Sequence, residues 1–274
     1  MRKVKFNFKN AALNLMFFVF AATVIISFNA CNKNDDPIDY EPGSIPGLGE
    51  AEGDLTGTSF RLPDGIELTE DITGNADQDN YWDLYSSSGP ARSFINKNGA
   101  IESKSFAFRA QHDENEPTIC YSGSGYGYVD LLLKLRNIRS TPVTVTFPAA
   151  TILISKAGNC QNGVLIKKVT VTVPANSSYN ICLSFYCGNL HKSSAHRNDI
   201  YVLGVVSNAQ PLLDLCERVK NKKINIEEFL RTSRSDYNIY SGQVDRLQSI
   251  VWHVTDGEGL TQYDIEYINS LLNS

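Results

Sequence analysis

The stretch YVDLLLKLRNIRSTPVTVTFPAATILIS, residues 128–155, decides the fold class. Leu131, Leu133 and Leu135 alternate with other residues, as in a strand with one buried face, and Val143 to Pro148 is β-branched at nearly every position. RSTP and the proline at 148 punctuate the runs as turns. Working outward, SFAFRAQ (Ser105–Gln111) alternates, and VLIKKVTVTVP (Val164–Pro174), NICLSFY (Asn180–Tyr186) and IYVLGVV (Ile200–Val206) follow at short intervals. Several short strands at such spacing predict an antiparallel β-sandwich.

After Val206 the period changes. AQPLLDLCERVKNK puts Leu212, Leu215, Cys216 and Val219 on one helical stripe, with Pro211 in the first turn. INIEEFLRT predicts a second short helix, and QVDRLQSIVWHVT a third with an apolar face at Val244, Leu247 and Val251. Thr261 followed by Asp264 is a capping-box signal for a last helix, and TDGEG (Thr255–Gly259) is the turn before it. The expectation is a mainly β domain over residues 59–274, with helices packed on it from about 208.

The chain opens differently. Arg2, Lys3, Lys5 and Lys9 precede an apolar run from Ala11 to Phe28, the charged-then-apolar order of a bacterial export signal. Phe28-Asn29-Ala30-Cys31 resembles the lipobox of bacterial lipoproteins, with Asn29 at a place that usually holds a small or aliphatic residue. The resemblance implies cleavage after residue 30 and lipidation of Cys31. Acyl chains at about 0.8 kcal/mol per buried CH2 then anchor the protein without a spanning helix. NKNDDP, directly after Cys31, resembles the surface-export signal of Bacteroidota lipoproteins and implies an outer-membrane, cell-surface location. Residues 31–58, rich in Pro, Gly and acids, are expected to form a flexible tether.

The whole chain carries 25 Lys and Arg against 30 Asp and Glu, and loss of the signal removes only cations. That balance argues against nucleic acid as a partner. The six cysteines are Cys31 and five in the domain, so at most two internal disulfides form. Cys182 and Cys187, five apart on one strand, face opposite sides and cannot bridge each other, while Cys216 reads as a buried helix-face residue.

No GxSxG, Walker loop or dinucleotide fingerprint is present. Asn75, Asp77 and Asp79 alternate as in some calcium loops, without the glycine and distal glutamate of the usual pattern. Tyr81, Trp82, Tyr121 and Tyr126 are candidate ligand-facing aromatics for a protein or glycan.

LQSIVW (Leu247–Trp252) resembles the glutamine motif of surface thioester domains, TQxA followed by Ile or Val and Trp, and FYCGN around Cys187 resembles their aromatic-Cys motif. In that family the glutamine side chain acylates the cysteine sulfur, giving an electrophile that traps amines. The resemblance implies that Cys187 is the thiol and Gln248 the acyl donor; Leu247 and Ile250 stand where the motif has Thr and Ala. Residues 143–264 together also resemble a family of uncharacterised secreted bacterial domains, which implies a common fold and no particular activity. The leading expectation is a lipid-anchored, non-catalytic binding or adhesion module. The alternatives are a thioester adhesin and a fimbrial subunit, and a helical C-terminus speaks against the strand exchange such a polymer needs.

Overall fold

A computed structural model of the chain describes residues 36–75, 120, 122–125, 127–229 and 234–274. Its strands are β1 (Gly57–Ser59), β2 (Ile66–Leu68), β3 (Ile72–Gly74), β4 (Ser122–Gly123), β5 (Val129–Asn137), β6 (Val143–Phe147), β7 (Thr151–Ser155), β8 (Gly163–Val164), β9 (Val169–Val173), β10 (Ser177–Cys187) and β11 (Ile200–Ser207). Three helices follow, α1 (Gln210–Val219), α2 (Arg234–Thr255) and α3 (Gln262–Ser270), with a 3-10 turn at Ile226–Glu228 where a short helix was expected.

The long pairing of β10 with β5, from Ser177↔Asn137 to Phe185↔Val129, is the spine of the sheet. It sets Ile181 opposite Leu133 and Leu183 opposite Leu131, so one face of both strands is continuously apolar. From β5 the antiparallel pairing runs to β3, β11, β7 and β8, and then back to β10. Six strands therefore close on themselves as a barrel, carrying the C-terminal helices. The mainly β class and helical C-terminus agree with the sequence, while the expected pair of open stacked sheets is replaced by this ring. The reason lies in β3 and β8, three and two residues long, which join the edges. Strands that short carry no readable alternation.

β6 and β9 pair separately as a two-stranded ribbon. Val145, Phe147, Val169 and Val173 are buried in the cluster that fills the barrel, and the intervening threonines face solvent. A second core lies between the barrel wall and the helices, where Tyr186 and Ile152 meet Leu212, Leu215, Leu247 and Val251. Successive residues of β10 thus serve two cores, with Phe185 and Cys187 in the first and Tyr186 in the second.

Residues 37–56, expected to be part of a flexible tether, instead form a strap across the domain. The Ile38 N–H donates to Asn208 O (2.8 Å), that of Gly43 to Val254 O (3.0 Å) and that of Gly49 to Gly188 O (2.8 Å). Ile45 and Leu48 are fully buried in the helical core. Pro and Gly here set a route rather than leaving the chain loose. Gly49 sits at φ +56°, and a Cβ there would meet Thr255 O at 2.1 Å. Among the described residues no helix is long and apolar enough to cross a membrane.

Candidate functional site

Cys187 ends β10 beyond its last pair with β5, so its main-chain N–H and C=O on that edge have lost their strand partner. A buried peptide group left unpaired is costly. Gln248, in the C-terminal half of α2, fills the gap. Its Oε1 accepts from the Cys187 N–H at 2.7 Å, and its Nε2 donates to Cys187 O at 3.0 Å. Both residues are completely buried. The two residues that the thioester resemblance singles out, 61 positions apart, are therefore neighbours, and the recorded contact is between carboxamide and main chain.

A stripe on α2 wraps this end of the barrel. Asp245, three residues before Gln248, accepts from the Tyr128 hydroxyl at 2.8 Å. Trp252, four residues after it, meets the Tyr128 ring edge-on with centroids 5.9 Å apart. Just past the helix, the Leu190 N–H donates to Asp256 Oδ1 at 3.0 Å. Spacings of three and four put 245, 248 and 252 on one helical face. Tyr128 and Trp252 both pack against the cluster that contains Cys187. Leu48 of the strap lies against Gly188 on another side, close enough that a Cβ there would meet it at 2.8 Å.

Burial pushes the Cys187 thiol well above its ordinary pKa, and the carboxylates of Asp130 and Asp256 add to the effect. It is therefore a neutral thiol at physiological pH, with little intrinsic nucleophilicity. The other free thiols are also suppressed by burial, Cys160 to about 11 and Cys216 to about 12. The Tyr128 hydroxyl is raised by its own burial and by Asp245, and stays a donor. What distinguishes Cys187 is an acyl group, the Gln248 carboxamide, whose oxygen already receives a main-chain N–H.

The remaining sequence-derived candidates divide. Cys182 bridges Cys120 in a disulfide with Cα atoms 4.6 Å apart, and Cys216 is buried on the α1 stripe as expected. Asn75 is buried, with its Nδ2 3.7 Å from Cys120 Sγ rather than turned to a solvent loop. Cys31, Asp77, Asp79, Tyr81, Trp82, Tyr121 and Tyr126 lie outside the described residues. Among the described residues no cluster of three or more His, Cys, Asp or Glu is placed to hold a metal. Asp245 and Leu48 escaped sequence reading. Asp245 carried a usable signal in its helical spacing from Gln248 and Trp252, whereas Leu48 sits in a segment whose composition pointed to disorder. Compared with known proteins, the chain matches no family model, no curated protein and no solved structure.

Proposed function

We propose that this chain is a lipid-anchored surface adhesin head whose Cys187–Gln248 pair closes to an internal thioester that captures an amine on a partner. The observation that carries the reading is the buried double hydrogen bond between the Gln248 carboxamide and the Cys187 main chain. In the closing step the Cys187 sulfur adds to the Gln248 side-chain carbonyl carbon. Negative charge developing on Oε1 falls on the atom that the Cys187 N–H already contacts, the arrangement of an oxyanion site. The C–N bond then breaks, and the amide nitrogen leaves as ammonia with the thiol proton. An amine later reverses the chemistry, taking the acyl group and restoring the thiol.

Intact-mass measurement of the purified mature chain tests this directly. The expected mass is lower than the sequence by one ammonia, with the deficit abolished by Cys187→Ala and by Gln248→Ala. A full sequence mass under native and denaturing conditions sinks the thioester.

The second reading is a non-catalytic module for a protein or glycan, in which Gln248 only completes the pairing that β5 leaves unfinished. Its support is that the two hydrogen bonds account for a buried glutamine without chemistry. Under it the mass is complete and Gln248→Ala costs stability alone. In either case Cys31 is proposed as the lipid attachment, checked by loss of acyl-chain labelling in Cys31→Ala and by protease access on intact cells. Calcium at Asn75, Asp77 and Asp79 is a separate proposal, dismissed if chelator leaves the melting temperature unchanged.

A further inference from the structure

We propose that Tyr128 is the doorway to the Cys187–Gln248 pair, held shut by Asp245 and Trp252, and that a small reagent reaches the pair when the Tyr128–Asp245 hydrogen bond opens. This rests on the thioester reading of that pair.

Cys187 and Gln248 expose no surface, so any reagent must displace something. One side is closed by the strap, whose Gly49 N–H donates to Gly188 O and whose Gly47 O and Gly49 O accept from the side chains of Asn162 and Asn189. Another is the barrel interior, filled by Phe185, Leu183 and Val129. Tyr128 is only partly buried and packs against both cores, one of which contains Cys187. It precedes β5, so its ring is not locked by a strand pair of its own.

Among the described residues two contacts hold its side chain at the α2 face. The hydroxyl is tied to the exposed carboxylate of Asp245, and the ring rests on Trp252. The Trp252 indole N–H is buried and finds no hydrogen-bond partner among the described residues, beside the doorway. Asp245 and Gln248 lie one turn apart on α2, so one helix carries both the latch and the acyl donor. Opening a single exposed hydrogen bond is a low-cost local motion, whereas lifting the strap breaks several bonds and withdraws Leu48 from the core.

The test is the rate of reaction at residue 187 in the purified mature chain. Methylamine incorporation at Gln248 is followed where the ammonia deficit is present, and iodoacetamide labelling of Cys187 where it is absent, both by peptide mass mapping. Tyr128→Phe and Asp245→Ala are expected to raise the rate roughly fivefold each, the effect of losing one hydrogen bond. Tyr128→Ala is expected to raise it further, and labelling of the buried Cys216 stays at the wild-type rate in all three. Unchanged rates at residue 187, or a parallel rise at Cys216 that marks general loosening, overturn the doorway. A complete wild-type mass removes the thioester alone, and the iodoacetamide arm still decides the doorway.

Discussion

Asp264 shows how much one residue can be asked to hold. Its Oδ2 accepts from the Thr261 N–H (2.9 Å) and hydroxyl (2.7 Å) and lies 2.8 Å from His253 Nδ1, and its Oδ1 accepts from Arg246 Nη2 at 2.7 Å. Burial by itself raises the carboxyl pKa, but the Thr261 donors and His253 outweigh it and hold Asp264 below the ordinary aspartate value. A depressed carboxyl pKa stabilises above the unfolded value, about 3.9, and that stabilisation is lost as pH falls through the folded value. Asp264→Asn should therefore cost about 2 kcal/mol at pH 7, discounted because Arg246 and His253 are each more than a third exposed. The deficit relative to wild type should shrink below about pH 4, measured by urea unfolding. The cap half of this cluster was legible, since Thr261 and Asp264 are three apart at a helix start. The clamp to α2 was not, because nothing local ties positions 246 and 253 to 264.

At the scale of elements, the sequence declared those long enough to show a period. β6 and β11 fall within a residue or two of their expected bounds, while the run from Val164 to Pro174 divides into β8 and β9. The 3-10 turn at Ile226–Glu228 is short because Asn225 and Glu228 cap it tightly, with the Glu228 carboxylate accepting from the Asn225 N–H at 2.8 Å and pairing with Lys167 Nζ at 2.6 Å. Beside it Glu227 accepts from the Gly123 N–H of β4 at 3.0 Å, and burial pushes its carboxyl up to about 7. The sign is opposite to that of Asp264. Destabilisation grows as pH rises from about 4, the unfolded glutamate value, to about 7, and is constant above. Glu227→Gln should then stabilise by on the order of 2 kcal/mol at pH 8 and be near neutral at pH 4. Denaturant midpoints at the two pH values check this, and equal differences at both would remove Glu227 from the account.

For the whole molecule, closure is achieved by devices with little sequence signature. The Cys120–Cys182 bridge spans 62 positions and fastens the segment bearing β4 to β10, so its reduction should cost about 2–4 kcal/mol, read as a lower melting temperature in reductant. The odd cysteine count bounded the number of bridges and could not choose this pair, because β4 is two residues long and parallel to β10. The strap was hidden more thoroughly. Its composition argues for disorder, yet two apolar side chains and four glycines at positive φ are enough to lay residues 37–56 over the site. A chain begun at Ser59, where composition places the domain boundary, loses the burial of Ile45 and Leu48 and the bonds to Gly188, Asn189 and Val254. Two buried aliphatic side chains at about 1.5–3 kcal/mol each put the loss near 4 kcal/mol relative to a chain begun at Pro37. Gly49→Ala within the longer chain should reproduce part of that loss, through the clash with Thr255 O and the strain of φ +56°. If both changes leave urea midpoints and amide exchange at Cys187 and Gly188 untouched, the strap does not seal this end of the barrel. If both lower them together, the segment that reads as a tether is part of the wall that keeps water from Cys187 and Gln248.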